Sequence, residues 1–297
     1  MKLLTYVENG REILGVRVDA GVVDVAKALE AYPDAAVPFS MMDVIAGGPE
    51  VVEALRRFVD GLPEAAEPSY IVKEEGLTFG PCVTAPQKII CVGLNYKKHA
   101  EETKAAVPEV PILFNKFPNA LTGHGADVEI PPVTTRMDYE VELAIVIGRR
   151  AKAVSEGDAL AHVFGYCTSN DLSARDLQLR TPQWMIGKIG DGFCPLGPYL
   201  VTADEVGDPQ QLAIRTTVNG EVRQQSNTGD MIFSCAQIVS YISQHLTLEP
   251  GDVILTGTPE GVILGMPKEQ RVWLQPGDVV TVEVEKLGAL TNRLVKG

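Results

Sequence analysis

The segment MDYEVELAIVIG, residues 137–148, constrains the fold most strongly, because a strand with this sequence is apolar on both faces. Alternate residues of a strand project to the same side. Glu140 and Glu142 therefore share one face with Ala144, while Val141 and Leu143 lie on the other. The pattern predicts a strand that is buried on both faces beyond Glu142, and it leaves two carboxylates on one side to be explained.

The two carboxylates have three explanations: a metal site, solvation at a strand end, or pairing with Arg or Lys. Like charges close together in a desolvated place repel each other, and a divalent cation between them relieves the repulsion. Glu283 and Glu285 repeat the spacing and provide an internal comparison. The alternation of VVTVEVE, residues 279–285, is typical of a strand with one solvated face. We expect Glu283 and Glu285 to face solvent.

Asp171, in TSNDLSARD, supplies a third carboxylate where a predicted strand gives way to a helical turn. A helix N-cap is the simpler role for this residue alone. Three carboxylates without a neighbouring Cys or His would form an all-oxygen site. Such a site suits Mg²⁺ or Mn²⁺, with Ca²⁺ as an alternative, and disfavours Zn²⁺.

Three further motifs carry groups suited to catalysis. On a helix, His99 and Glu102 of NYKKHAEE are i and i+3, so the carboxylate can orient the imidazole as a general base. An exposed pair of little consequence is the alternative. Lys188 lies between glycines in MIGKIGDG, where a cation can approach an anionic ligand. The loop TGTPEGV, residues 256–262, offers N–H and hydroxyl donors to a carboxylate but lacks the ending of a nucleotide phosphate loop.

The chain as a whole contains many short strands and few long helices, which predicts an α+β, β-dominated fold and not a doubly wound α/β sheet. Asn9-Gly10 between two apolar runs predicts a hairpin. Stretches rich in proline and small residues, between about residues 63 and 86, indicate a boundary. We predict a small N-terminal domain over residues 1–75 and a catalytic domain over residues 84–297.

Charge and composition narrow the classes of partner. The net charge of −13 argues against nucleic acid and anionic membranes, although a local site can reverse the sign for a small anion. No apolar run approaches the roughly 20 residues that span a bilayer. The N-terminus turns polar before a signal-peptide core could form, so a cytoplasmic location is expected. The five cysteines form no CxxC pair and predict neither disulfides nor a zinc site.

Five motifs in order make the chain resemble the fumarylacetoacetate hydrolase family over about residues 86–295. They are VGLNYKKHAEE, DYEVELAIVIG, NDLSARDLQ, KIGDGFCPLGP and LTGTPEGV. The resemblance implies a homodimer with a mixed β-sandwich or roll. It also implies cleavage of carbon–carbon bonds in small 1,3-dicarbonyl or 2-oxo acids, with Mg²⁺ or Mn²⁺ as cofactor.

The resemblance also assigns roles to residues of this chain. The implied metal ligands are Glu140, Glu142 and Asp171. The implied catalytic residues, from the H-x-x-E motif of the family's mobile lid and from its G-K-x-x-D motif, are His99, Glu102 and Lys188. The implied substrate contacts are Arg175, Gln178 and Thr258.

Two departures from the family pattern are visible. Longer members carry a further Asp ligand ahead of the lid histidine, where this chain has Asn95-Tyr96. We therefore expect three carboxylates only. The Ser-Phe that usually follows the motif lysine is replaced by Ile189-Gly190, which is expected to change the pocket wall.

The resemblance favours hydrolysis of an acylpyruvate-type 1,3-diketo acid, in which His99 activates water and Lys188 helps to hold the pyruvate enolate. Decarboxylation of an oxaloacetate-type 2-oxo acid gives the same enolate, so a decarboxylase, or an isomerase, is the alternative on this site. A catalytically silent metal-binding protein is a further alternative. The retention of both a base and a lysine argues against it.

Overall fold

The computed structural model describes residues 1–63 and 68–297, so residues 64–67 of the predicted boundary region lie outside the described residues. The strands are β1 (Lys2–Glu8), β2 (Arg11–Val18), β3 (Gly21–Asp24), β4 (Ile71–Val72), β5 (Ile89–Gly93), β6 (Ile112–Lys116), β7 (Leu121–Thr122), β8 (Asp127–Ile130), β9 (Met137–Asp138), β10 (Val141–Ile147), β11 (Val163–Asn170), β12 (Ser173–Ala174), β13 (Cys194–Thr202), β14 (Ala213–Val218), β15 (Glu221–Asn227), β16 (Val253–Leu255), β17 (Val279–Val284) and β18 (Gly288–Lys296). The helices are α1 (Val25–Ala31), α2 (Met41–Asp60), α3 (Lys97–Glu102), α4 (Glu156–Ala159), α5 (Arg175–Gln178), α6 (Ala203–Val206) and α7 (Cys235–His245). This confirms the predicted α+β, β-dominated class.

A long mixed sheet runs through the molecule in the order β4-β3-β2-β1-β13-β11-β10-β16-β5-β6, with β7 beside β13. β10 lies between β11 and β16, and all of its residues are buried, as its apolar pattern predicted. A second sheet has the order β15-β14-β17-β18-β8. Its strands β14, β17 and β18 pack against β10, β11 and β13, so the main core lies between the two sheets.

The N-terminal strands extend the main sheet. The predicted hairpin is present, with the turn residues Asn9 and Gly10 at positive φ, and β1 pairs with β13. The long helix α2 is kinked because Gly48 adopts a positive φ directly before Pro49, which cannot donate an N–H to the preceding turn. The division into two domains remains a prediction.

The cysteines and the helix lengths were also considered in the sequence. All five cysteines are buried free thiols. Within the described ranges, no helix combines the length and the apolar character needed to cross a membrane.

Candidate active site

The pairing of β10 with β11 brings the three carboxylates together. Glu140 directly precedes β10, Glu142 lies within it, and Asp171 directly follows β11. The strands are antiparallel with Val141 opposite Asn170, and the N–H of Asp171 donates to the carbonyl of Glu140 over 2.9 Å. One carboxylate oxygen from each of the three residues lies within 4.8 Å of the other two. The register of two strands therefore assembles the predicted ligand set.

These carboxylates are buried, which excludes solvation at a strand end. Glu140 is 5% exposed, Glu142 2% and Asp171 0%. Pairing with cations holds for two of them, because Lys188 Nζ donates to Glu140 over 2.7 Å and to Asp171 over 2.8 Å. Lys116 Nζ lies 2.6 Å from the other oxygen of Asp171, as an ion pair without hydrogen-bond geometry. Asp171 is thus held between two lysines.

Arg175, at the start of α5, links Glu140 to one further carboxylate, that of Asp138. Its Nε donates to Asp138 over 2.8 Å, its Nη2 to Glu140 over 2.6 Å and its Nη1 to Gln178 over 2.9 Å. The N-cap of α5 is Ala174, so Asp171 does not have the N-cap role that was considered for it. Arg175 and Gln178 line the central cavity, but the guanidinium is already bound to protein groups.

The interior of the site carries more negative than positive charge. The carboxylates belong to Asp138, Glu140, Glu142 and Asp171, and the cations to Lys116, Arg175 and Lys188. One formal negative charge is left over. In the part of the chain that the structure describes, no Lys or Arg forms an ion pair with Glu142. The surplus charge therefore falls on this residue.

The two glutamates titrate in opposite directions because their neighbours differ. Burial, together with repulsion from Asp171 and Glu140, raises the pKa of Glu142 well above its usual value. Burial also disfavours the charged form of Glu140, but Arg175 and Lys188 outweigh it and lower the pKa of this residue. Only Glu142 would gain strongly from an additional cation.

The donor set fits a hard divalent cation. Three buried carboxylates offer only oxygen atoms, as Mg²⁺ and Mn²⁺ prefer. The surplus charge at Glu142 is what such an ion would neutralise. Asn95 does not join the set, since its amide donates to the carbonyls of Phe233 and Thr256 over 3.0 and 2.8 Å. The candidate cation site therefore consists of Glu140, Glu142 and Asp171, without a contribution from Asn95.

The predicted base also lies at this site. His99, on α3, is 6% exposed, and its Nδ1 lies 2.8 Å from Glu102 Oε1. The other oxygen of Glu102 accepts the N–H of Gly261 over 2.9 Å. The alternative of an exposed, inconsequential pair is therefore excluded. With Nδ1 engaged by Glu102, Nε2 is the nitrogen that can exchange a proton with a ligand in the cavity that His99 lines.

The loop after β16, residues 256–265, serves the protein's own carboxylates. The N–H of Gly257 donates to Glu142 Oε2 over 2.6 Å, and that of Gly261 donates to Glu102. Thr258, the third predicted substrate contact, lines the cavity, and its hydroxyl accepts from Gln224 over 2.9 Å. The predicted N–H donors exist, but they bind side chains of the site and hold them in place.

A cavity of about 660 Å³ lies between the predicted base and the cation site. Lys188, Glu140, Glu142 and His99 line its inner part, and Phe114 and Trp184 form an aromatic wall with ring centroids 5.6 Å apart. The cations Lys104, Lys268 and Arg271 also line it. Ile189 and Gly190 are not among the described residues that line the cavity. The expected change of the pocket wall at these two positions therefore does not arise from direct contact with the cavity. The cavity suits a small anion.

Two buried residues of the site were not predicted. Lys116 ends β6 with a fully buried side chain and also donates to the carbonyl of Phe193 over 2.8 Å. Asp138 accepts the N–H groups of Ile263 and Leu264 over 2.9 and 3.0 Å. Asp138 shares the strand face of Glu140, a signal that could have identified it. Nothing in the sequence around Lys116 separates it from a surface lysine at a strand end.

Comparisons with known proteins show which family this chain is similar to. The family model described as fumarylacetoacetate (FAA) hydrolase C-terminal matches residues 88–295. The mitochondrial oxaloacetate tautomerase FAHD2A of Bos taurus is 42% identical over 278 residues, which cover 93% of this chain and 84% of that protein.

Two solved structures extend the comparison to the fold. A fumarylacetoacetate hydrolase from psychrophilic Exiguobacterium antarcticum is 35% identical with a TM-score of 0.82, and the match covers 100% of both chains. A maleylpyruvate hydrolase from Sphingobium sp. SYK-6, in complex with manganese(II) and pyruvate, is 29% identical with a TM-score of 0.79 and the same coverage. The likeness thus includes the strands that position the carboxylates.

Proposed function

Because the chain belongs to the fumarylacetoacetate hydrolase family, we propose that it is a divalent-metal enzyme that interconverts the keto and enol forms of oxaloacetate or a similar 2-oxo dicarboxylic acid. The observation that carries the proposal is that one cavity is lined by the His99–Glu102 pair and by Glu140 and Glu142. A base and a cation site facing one ligand are what removal of a proton beside a 2-oxo group requires. The 42% identity to an oxaloacetate tautomerase supports this substrate.

The proton transfer follows from the orientation of His99. A divalent cation held by the three carboxylates would polarise the 2-oxo group and acidify the hydrogens at C3. In the tautomer that donates from Nδ1 to Glu102, Nε2 has the free lone pair that takes a proton from C3. The C2–C3 double bond forms, and a proton returns to the oxygen at C2. No atom or charge is gained or lost overall, as tautomerisation requires.

Lys188 supplies positive charge where the substrate oxygen becomes negative. Burial alone would lower the pKa of this lysine, but Asp171 and Glu140 outweigh it and the pKa is raised. The side chain is therefore an ammonium group when it faces the cavity. A fixed cation beside a developing negative charge lowers the barrier to enolate formation.

The rim of the cavity can attract a dianion despite the net charge of −13. Lys104, Lys268 and Arg271 place three positive charges among its lining residues. A local cluster of one sign concentrates ligands of the opposite sign even when the whole molecule repels them. A dicarboxylate fits this charge pattern.

Hydrolysis of an acylpyruvate, the leading prediction from the sequence, is the second candidate. A cavity of about 660 Å³ can hold a ligand much larger than a four-carbon acid. The likeness to a maleylpyruvate hydrolase also favours it. In that reaction His99 would take a proton from water and not from C3. Decarboxylation of oxaloacetate remains the other alternative on the same groups.

The proposal is tested by following the disappearance of enol-oxaloacetate by its ultraviolet absorbance, with Mg²⁺ or Mn²⁺ and after chelation. We expect the wild-type protein to exceed the rate of buffer with metal alone, and chelation to remove the gain. His99→Gln should slow the reaction by about 10²–10⁴-fold, the usual effect of losing a general base. Its metal binding should persist, because His99 is not one of the three ligands.

His245→Ala is the matched control, because this exposed histidine ends α7 and its ring packs on Tyr241. The variant should keep the wild-type rate. A wild-type protein that leaves the enol decay at the buffer rate would contradict the proposal. Cleavage of acylpyruvates by the same preparation would then favour the second candidate.

A further inference from the structure

The carboxylate of Glu102 lies in a close-fitting seat formed by the 256–265 loop. One oxygen binds His99 Nδ1 over 2.8 Å and the other accepts the N–H of Gly261 over 2.9 Å. Gly265 lies directly against the same carboxylate. A Cβ at this position would lie 2.6 and 2.7 Å from the two carboxylate oxygens. Real Cβ atoms do not approach oxygen this closely, so a side chain at 265 and Glu102 in its present position exclude each other.

The clash involves the end of a side chain and not the backbone. The atoms nearest to a Cβ on Gly265 all belong to the carboxyl group of Glu102. Gly265 ends a 3₁₀ turn, Ile263–Gly265, and lies outside the positive-φ region that only glycine adopts easily. The backbone would therefore accept alanine, and the Glu102 side chain would rotate away. The cost falls on the orientation of the dyad and not on the fold.

The same loop is tied to the cation site. The N–H groups of Ile263 and Leu264 donate to Asp138, which accepts from Arg175, and Arg175 in turn donates to Glu140. The loop that binds Glu102 is thus connected through Asp138 and Arg175 to Glu140, one of the three carboxylates of the cation site. These buried hydrogen bonds fix the position of Glu102, and with it His99, relative to the cation site.

We propose that Gly265 is a positioning residue for the catalytic dyad: it leaves the space in which the Glu102 carboxylate lies, and through Glu102 it sets the direction of His99. The inference deepens the proposed function, and its rate measurement rests on that function. Its structural consequence does not, because the seat holds α3 in place whichever reaction His99 serves.

The test is a double-mutant cycle of Gly265→Ala and Glu102→Ala in the full-length protein. Gly265→Ala should lower kcat by about 10–100-fold, as is typical when the partner that orients a functional side chain is lost. KM and calorimetric Mg²⁺ or Mn²⁺ affinity should stay at wild-type values. Because the alanine acts through Glu102, adding it to Glu102→Ala should cause no further loss.

Gly157→Ala is the matched control. Gly157 lies in α4, where an added Cβ meets only Ser155 Oγ at 3.8 Å, so this variant should behave as wild type. Wild-type kcat in Gly265→Ala, loss of metal affinity, or losses that multiply in the double variant would each overturn the inference.

Hydrogen exchange separates this inference from the proposed reaction. Gly265→Ala should speed amide exchange in residues 97–103, since α3 loses the link from Glu102 to the loop, and Glu102→Ala should do the same. The double variant should match Glu102→Ala alone. If the wild type shows no tautomerase activity but these exchange rates change as expected, the proposed reaction fails and the seat stands. Unchanged exchange in Gly265→Ala overturns the seat.

Discussion

At the scale of single residues, one spacing has two outcomes in this chain. Glu140 and Glu142 are buried and Glu140 is paired with Arg175 and Lys188, whereas Glu283 is half-exposed and accepts from Nε of Arg215 over 2.8 Å. Val280, Val282 and Val284 are buried on the other face of that strand, so its predicted half-solvated alternation is confirmed. The neighbours in the strand, and not the Glu-x-Glu spacing, distinguish the two cases.

Glu142 is the predicted ligand whose replacement should lower metal affinity without destabilising the protein. From the sequence alone we would expect any lost ligand to relieve repulsion, but Glu140 and Asp171 are paired with buried cations that their removal would leave uncompensated. Asp171→Ala should cost about 3–5 kcal/mol of stability for this reason. Glu142→Gln should instead keep or increase the stability of the metal-free protein while lowering its affinity for Mg²⁺ and Mn²⁺.

Isothermal calorimetry and denaturant unfolding measure both quantities. Glu283→Gln serves as the control and should match the wild type in metal affinity, because its half-exposed carboxylate pairs with Arg215 and is not one of the three grouped carboxylates. Full metal affinity in Glu142→Gln would remove this glutamate from the ligand set.

The sequence predicted the carboxylate set better than it predicted the partners of the set. Glu140, Glu142 and His99 are revealed by local spacing, since strand and helix periodicity determine what faces what. Lys116 and Arg175 bind carboxylates that are 55 and 37 residues away in the chain by residue number. Contacts of this kind depend on which strands become neighbours, and local patterns carry no information about that.

At the scale of elements, the hairpin and the buried strand β10 followed from pattern and turn chemistry. The register that places Asp171 beside Glu140 did not, because it arises from the pairing of β10 with β11. The kink at Gly48 could be anticipated from Gly-Pro within a helical pattern. The order of strands in the main sheet could not.

The pairing of β1 with β13 gives a test of the predicted domain division. A chain of residues 84–297 would keep β11 beside β13 but lack β1, and would expose the edge of β13 at Leu200 and Val201. Exposed edges and uncovered core promote aggregation. We expect this fragment to be insoluble or to lack near-ultraviolet circular dichroism and cooperative unfolding. A soluble fragment that unfolds cooperatively and binds Mn²⁺ would instead support two independent domains.

At the scale of the whole molecule, stability should depend on pH through Glu142. Its pKa is raised in the folded protein, so the stability it contributes is present at low pH and is lost as the pH rises through the raised value. Glu140 behaves in the opposite way: its lowered pKa gives a contribution that is lost only below the usual carboxyl range, and that is constant at higher pH. Between about pH 5 and 8, Glu142 is therefore the member of this pair whose titration changes the stability of the folded protein.

We therefore expect the metal-free protein to melt at a lower temperature as the pH rises from about 5 to 8. The increase in melting temperature on adding Mg²⁺ should grow over the same range, because metal binding then no longer competes with a proton. Differential scanning calorimetry in chelator and in Mg²⁺ measures both. Glu142→Gln should reduce both trends, and equal trends in wild type and variant would show that another group is responsible.

The ammonium group of Lys188 binds the carboxylates of both Glu140 and Asp171, two of the three predicted metal ligands. In chemical terms, metal loading would then be a substitution reaction in which an ammonium is the leaving group. Its rate would depend on how often the lysine leaves these carboxylates as well as on how often an ion arrives. The released ammonium would remain within the cavity that Lys188 lines, close to the oxygen atoms of a ligand. A single side chain can thus occupy the ion's place in the resting protein and serve the substrate in the loaded one.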